Sequence, residues 1–225
     1  MPGIIALVGG YEFRTNCLEM DRAILARVGT SAQIIVLPTA AAFESPRQAA
    51  YNGVQHLKRL GAKAEAMYIL NREDANNNDY AAQIDKVQGV YFSGGDPVHL
   101  LETLQGSKIW GAIVDLYQHG GLVAGSSAGA MVLGGQMWAP GEGWRTGLGL
   151  IPKLVIVPHH ATVSHRWNAP KMAETVAPGV TVVGVDESTA LLLPDQLVIG
   201  AGEVTVYTPD PIAFAADTIV TANLI

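Results

Sequence analysis

A single cysteine, Cys17, is all the thiol this chain carries. An internal disulfide is thereby excluded, and so is a metal site built on clustered cysteines. Charged residues are equally sparse, at 15%, and their formal balance is −6. A general nucleic-acid binder would need a basic stripe to displace counterions, so that class is set aside. No stretch reaches the roughly 20 apolar residues of a membrane span. The opening segment MPGIIALVGG lacks a basic n-region and meets a Gly-Gly break too early for a signal peptide. The default expectation is a cytoplasmic protein with no membrane or nucleic-acid partner, no metal and no organic cofactor.

What the chain has in abundance is apolar residues, at 49%, and glycine, at 25 of 225 positions. That suits one α/β domain spanning 1–225, with buried parallel strands and tight loops. Ile4 to Val8, Ile34 to Leu37, Ala64 to Leu70, Val90 to Ser93 and Leu122 to Ala124 read as strands. Helical patterns lie between them: Cys17 to Val28, Tyr80 to Val87, Val98 to Leu104, Ile109 to His119, and one opened by Ser45-Pro46. Strands alternating with helices predict right-handed βαβ units, a three-layer sandwich around a mostly parallel sheet. Ala139 to Gly149 reads as a glycine-rich loop, followed by an apolar run, Leu154 to Val157. The short runs Val180 to Val185, Ala190 to Leu193, Gln196 to Ile199 and Val204 to Tyr207 predict a C-terminal antiparallel ribbon.

The most informative segment is Gly125-Ser126-Ser127-Ala128-Gly129. A G-x-S-x-G run directly after an apolar strand and before a helix is the setting of a nucleophile elbow. Ser127 takes the central position, and its small neighbours leave room for closely packed backbone. A glycine-rich turn that binds phosphate is the competing reading. Gly94-Gly95-Asp96 ends the preceding strand, and loops at such carboxyl ends line the ligand crevice of an open parallel sheet. The Gly95 and Ala128 N–H groups are the candidate oxyanion donors. Asp96 also reads as a helix cap, and His99 stands just beyond as a pocket candidate.

A serine nucleophile needs a base and a group to orient it. His159 and His160 follow a strand directly and are favoured over His56, His99, His119 and His165. Glu187, at the end of another strand, is the first candidate for the acid. Glu142, in the loop after the elbow, is the second.

Ordered segments extend this pattern: VGGYEF (Val8 to Phe13), NREDAN (Asn71 to Asn76), YFSGGDPVHLL (Tyr91 to Leu101), VAGSSAGA (Val123 to Ala130), GLGL (Gly147 to Leu150) and VGVDESTALL (Val183 to Leu192). In these the chain resembles the dipeptidase E and cyanophycinase family of serine peptidases, whose fold is that of class I glutamine amidotransferases. The resemblance implies Ser127 as nucleophile, Gly95 and Ala128 as oxyanion donors, and His159 as base. His160 stands where the family usually has phenylalanine. Glu187 matches the acid of the cyanophycinase branch, whereas the dipeptidase E branch draws its acid from the loop that holds Glu142. Cyanophycinases carry an R-x-R pair after the histidine; here Ser164-His165-Arg166-Trp167 has one arginine at a shifted place. An N-terminal aspartate, the feature that dipeptidase E recognises, would need a basic partner, and Arg145 and Arg166 are the candidates.

The expectation is a peptidase for short peptides, with Gly94, Asp96, His99, Arg145, His160 and Arg166 around the substrate. Hydrolysis of β-aspartyl-arginine, a non-peptide amidase or esterase, and an inactive small-ligand binder are the alternatives. A homodimer is the prior assembly.

Overall fold

The computed structural model describes residues 2–208, 210–222 and 224, and the side chains of residues 165 and 166 lie outside that description. β1 (Ile4–Val8) leads through a 3-10 turn into α1 (Leu18–Ala26), and β2 (Gln33–Leu37) leads into α2 (Pro46–Arg59). β3 (Lys63–Ala66), shorter than the apolar run suggests, precedes α3 (Arg72–Ala75) and α4 (Asn78–Ile84). β4 (Gly89–Phe92) is followed by α5 (Pro97–Leu104) and α6 (Lys108–Gln118), and β5 (Leu122–Ser126) by α7 (Ala128–Val132). Asn71, Asn77, Asp96 and Ser107 cap the helices they open by accepting from backbone N–H groups. Ser45 precedes Pro46 as expected, but its hydroxyl makes no capping bond.

These five strands run parallel in the order β3-β2-β4-β5-β1. Alternation along each strand divides the core by face. Leu7, Leu37, Phe92 and Val123 pack with Leu100 and Leu104 of α5 and Ile113 of α6. Ala6, Val36, Tyr91 and Ala124 pack with Met20 and Ile24 of α1 and Leu57 of α2. A sheet covered on both faces needs strands that are apolar throughout, which is why they read as continuous runs.

One sequence reading needs correction, and another gains detail. The segment read as a loop from Ala139 to Gly149 contains part of a hairpin, β6 (Gln136–Ala139) with β7 (Gly143–Thr146). Trp138 and Trp144 sit opposite each other, ring centroids 5.3 Å apart, and this cross-strand pair fixes the register around the Pro140-Gly141 turn. The C-terminal runs pair antiparallel as expected, and they divide between two sheets. After β8 (Leu154–Val157) come α8 (His160–Trp167) and α9 (Ala169–Thr175). The remaining strands are β9 (Thr181–Val185), β10 (Thr189–Leu193), β11 (Leu197–Gly200), β12 (Glu203–Thr208) and β13 (Asp210–Ala215). β10 pairs antiparallel with β1, and β11 with β10, so both join the main sheet. β10 is buried at every residue, and only a sheet covered on both faces provides that burial. The others form a second sheet, β13-β12-β9-β8, in which β8 and β9 are parallel.

This topology positions the site. β5 lies between β1 and β4, so the loops leaving their carboxyl ends meet around Ser127. Val157 pairs with Gly184 in parallel, so β8 and β9 release His159 and Glu187 at the same end of the second sheet. The loop after β1 stitches the two sheets together. The His159 N–H donates to the Gly9 carbonyl at 2.7 Å, and the Ser188 N–H to the Gly10 carbonyl at 3.0 Å. No helix among the described residues is long and apolar enough to cross a membrane.

Candidate active site

Ser127 sits at φ 51° and ψ −114°, a conformation that L side chains rarely adopt, between β5 and α7. Its N–H is fixed by the Val8 carbonyl at 3.0 Å. The glycines around it are required by space: a Cβ on Gly125 would lie 2.4 Å from the Gly129 carbonyl oxygen. This strained turn projects the hydroxyl beyond the strand ends, where the His159 Nε2 lies 3.1 Å from Oγ. Nδ1 of the same ring is 3.3 Å from Glu187 Oε1. Thr162 also donates its hydroxyl to that carboxylate oxygen, at 2.7 Å, from the first turn of α8. With its proton on Nδ1 facing Glu187, the imidazole presents an unprotonated Nε2 to the serine, the tautomer general-base chemistry requires.

His159 itself is left-handed, at φ 50°, and its ring occupies space that only glycine leaves free. A Cβ on Gly10 would lie 2.1 Å from the His159 Cε1. Tyr11 meets the ring edge-on at 5.8 Å, and the Arg14 guanidinium stacks over Tyr11 at 4.5 Å.

On the other side of Ser127, Gly95 has φ 142° and packs against the Ala40 carbonyl, which would lie 2.3 Å from any Cβ there. The Asp96 N–H donates to that same carbonyl at 2.8 Å. Among the described residues, the Gly95 and Ala128 N–H groups have no acceptor. The arrangement supplies a nucleophile, a base with an orienting carboxylate, and two unengaged donors. That set is the requirement for acyl transfer.

Other candidates from the sequence lie elsewhere. His160 is turned away from Ser127: Nδ1 faces Asp186 Oδ1 at 3.5 Å, and Nε2 shares a hydrogen bond with the Tyr207 hydroxyl at 2.8 Å. It therefore neither contacts the serine nor lines the cleft. Glu142 is bound to Arg145 at 3.3 Å on the hairpin, and Arg145 also reaches Glu102 at 3.0 Å, so neither joins the His159 ring. Asp96 is spent on capping α5, at 2.8 Å from the Val98 N–H. The His99 ring bonds the Leu70 carbonyl at 2.9 Å and packs on Phe43, outside the cleft. The Arg166 side chain lies outside the described residues. Ser126, the neighbouring hydroxyl, is fully buried and donates to Glu12 at 2.8 Å.

The cleft over Ser127 has a volume of about 520 Å³ and is lined by Gly94, Gly95 and His159, by the loop Tyr11 to Arg14, and by α2 residues including Gln48 and Asn52. Tyr11, Glu12 and Arg14 have no counterpart among the sequence candidates. The signal was present, since their loop leaves the carboxyl end of β1 as Gly94 leaves that of β4. Two depressions of about 540 and 690 Å³ lie at the opposite strand ends, lined by residues such as Lys63 and Gln88. No nucleophile faces a base among their described residues, whereas Ser127 and His159 both line the cleft of about 520 Å³.

Residues 4–199 match the model of peptidase family S51. A cyanophycinase from Trichormus variabilis is 30% identical over 237 residues, 97% of this chain and 78% of that protein. One from Synechococcus elongatus is 25% identical, over 94% of this chain and 70% of its own. Among solved structures, a peptidase from an acI-B1 Actinobacterium superposes with a TM-score of 0.85 at 29% identity, covering 97% of this chain and 96% of that one. A putative peptidase E protein from Listeria monocytogenes EGD-e shares the fold, with a TM-score of 0.68 at 17% identity over 89% and 98% of the two chains.

Proposed function

The chain belongs to peptidase family S51 and is a serine peptidase; from that premise we propose that it hydrolyses short peptides by acyl transfer to Ser127. The observation that carries this reading is the continuous line of contacts from Ser127 Oγ through the His159 ring to Glu187, at 3.1 and 3.3 Å. His159 takes the hydroxyl proton as Oγ attacks the scissile carbonyl. Glu187 keeps the ring in its tautomer and stabilises the imidazolium. The tetrahedral oxyanion is met by the Gly95 and Ala128 N–H groups. His159 then protonates the departing amine, and water releases the acyl group by the reverse sequence.

The cleft supports small substrates, since its volume of about 520 Å³ accommodates a dipeptide or tripeptide and not a folded chain. Arg14 lines it and makes no ion pair among the described residues, so a substrate carboxylate has a partner there. A second reading, hydrolysis of β-aspartyl-arginine, is favoured by the relatives that bear the name cyanophycinase and by Glu44 on the cleft wall, which offers a partner for a guanidinium. The cytoplasm is the compartment assumed, since the chain has no disulfide that requires an oxidising one.

Labelling with a fluorophosphonate tests the nucleophile: wild type is expected to be labelled and Ser127→Ala is not. Equal labelling of both would move the nucleophile elsewhere. Hydrolysis of aspartyl dipeptides against β-aspartyl-arginine then separates the two substrate readings.

A further inference from the structure

Glu12 takes no part in the proton transfers above, yet its carboxylate lies against the centre of the site. Oε1 accepts from the Gly94 N–H at 2.7 Å, and Oε2 accepts from the Ser126 hydroxyl at 2.8 Å. Those donors belong to the residues directly before Gly95 and Ser127. One side chain thus grips the chain just ahead of the oxyanion donor and just ahead of the nucleophile, tying the β4 loop to the elbow. The contact is close: a Cβ on Gly94 would lie 3.0 Å from Glu12 Oε1 and 3.3 Å from the Ser127 Cβ.

The loop that presents Glu12 is built for this. Tyr11 and Phe13, on either side of it, are both left-handed, at φ 60° and 63°, a conformation unfavourable for aromatic residues. Surrounding contacts impose it. Phe13 packs between Tyr91 and His56, at 4.8 and 5.8 Å, and the Cys17 thiol donates to the Tyr11 carbonyl at 3.1 Å. Strain maintained in this way beside a reacting group is a mark of function.

A negative charge this close to a forming oxyanion opposes it by Coulomb's law, so charge alone gives no advantage. What the carboxylate offers is two acceptors at a fixed separation, which engage Gly94 and leave the next N–H, that of Gly95, unengaged. We propose that Glu12 is a positioning residue that sets the oxyanion hole by clamping the Gly94-Gly95 loop to the elbow. The inference rests on the acyl-transfer reading of Ser127.

Glu12→Ala is expected to lower kcat by about 10- to 100-fold, the scale of a small misplacement at a reacting centre, with KM changed less than threefold. A peptide aldehyde, whose carbonyl takes up the serine oxygen as a hemiacetal, should lose affinity by the same factor. A reduced-amide peptide, which forms no oxyanion, should bind as to wild type. Glu12→Gln keeps an acceptor for Gly94 and turns its amide N–H to the Ser126 oxygen, so it should restore kcat to within about threefold. Ser126→Ala removes one of the two ties and should lower kcat and aldehyde affinity together, by about threefold to tenfold; it carries the test if Glu12→Ala does not fold.

The proposal is overturned if Glu12→Gln is as impaired as Glu12→Ala, or if the aldehyde and the reduced-amide peptide lose affinity equally. Unchanged kcat in Glu12→Ala, or in Ser126→Ala where that variant carries the test, overturns it too. Ser127→Ala in parallel separates the two failures. Turnover by that variant would remove the acyl-transfer reading itself, whereas an inert Ser127→Ala beside a fully active Glu12→Ala removes only the clamp.

Discussion

His159 and His160 are neighbours, each facing one of the neighbouring acids Glu187 and Asp186, yet the two pairs do different things. The His159 pair opens on a hydroxyl in a cleft, and its ring is 29% exposed. The His160 pair is closed by the Tyr207 hydroxyl and by two strands, with Gly184 packed so tightly that a Cβ there would lie 2.1 Å from the ring. Two histidine–carboxylate pairs thus differ in setting, one open to a hydroxyl in a cleft and the other enclosed as a structural tie. Access and the third partner decide between them: serine beside one imidazole, tyrosine beside the other.

The comparison is broken most completely at its open end. His159→Ala is expected to lower kcat/KM by about 10⁴-fold, with little change in thermal unfolding, since it removes the proposed base. His160→Phe, which installs the residue usual in the family, should stay within about threefold in the same assay. Comparable losses in both would erase the distinction drawn here. Glu187→Gln comes next, with kcat down by about 10³-fold, because an amide is able to favour the wrong tautomer of the ring. Titration of the His159 Nδ1 proton by NMR would show whether that tautomer is lost. Gly10→Ala should follow at about 10²-fold, because the new methyl occupies the place of the His159 ring and displaces it from Ser127. A crystal structure with the ring unmoved would contradict that account.

The smallest effect concerns the closed pair and is one of stability. Burial pushes the Asp186 carboxyl up, but hydrogen bonds from His160 and from the Glu203 N–H outweigh it and hold the group below the ordinary carboxylate value. A lowered carboxyl contributes stability in full above its unfolded pKa and loses it as pH falls through the folded value. The unfolding free energy of His160→Phe should therefore be lower than wild type by about 1 kcal/mol at pH 7, with the gap narrowing below about pH 4. Urea titrations at the two pH values measure it, and a gap that widens in acid would reverse the assignment.

How legible these features were in the sequence depends on how local they are. The turn at Ser127 is written in consecutive small residues, and Gly94-Gly95 marks a strand end next to it in the parallel sheet, so both are readable without coordinates. The choice between His159 and His160 is not. Successive residues leaving a strand point to opposite sides, and which side holds the serine depends on how the second sheet stands against the first. The position of Glu12 is not readable either, because it depends on two aromatic residues in left-handed conformation, which no residue preference announces. The sheet that β10 joins is hidden for a related reason: its apolar run states that it is buried on both faces but not which strand it pairs with. Trp138 and Trp144 around Pro140-Gly141 are a hairpin signal that the surrounding glycines mask.

The bonds from His159 to Gly9 and from Ser188 to Gly10 join the latest parts of the site to one of the earliest. During synthesis, the turn bearing Ser127 emerges well before its imidazole and its acid. A nascent chain that ends before Val157 carries the elbow without His159, its proposed base. On the proposed assignment, hydrolytic competence arrives only when the final third of the polypeptide docks onto the loop after the first strand. Chain order alone sets that timing.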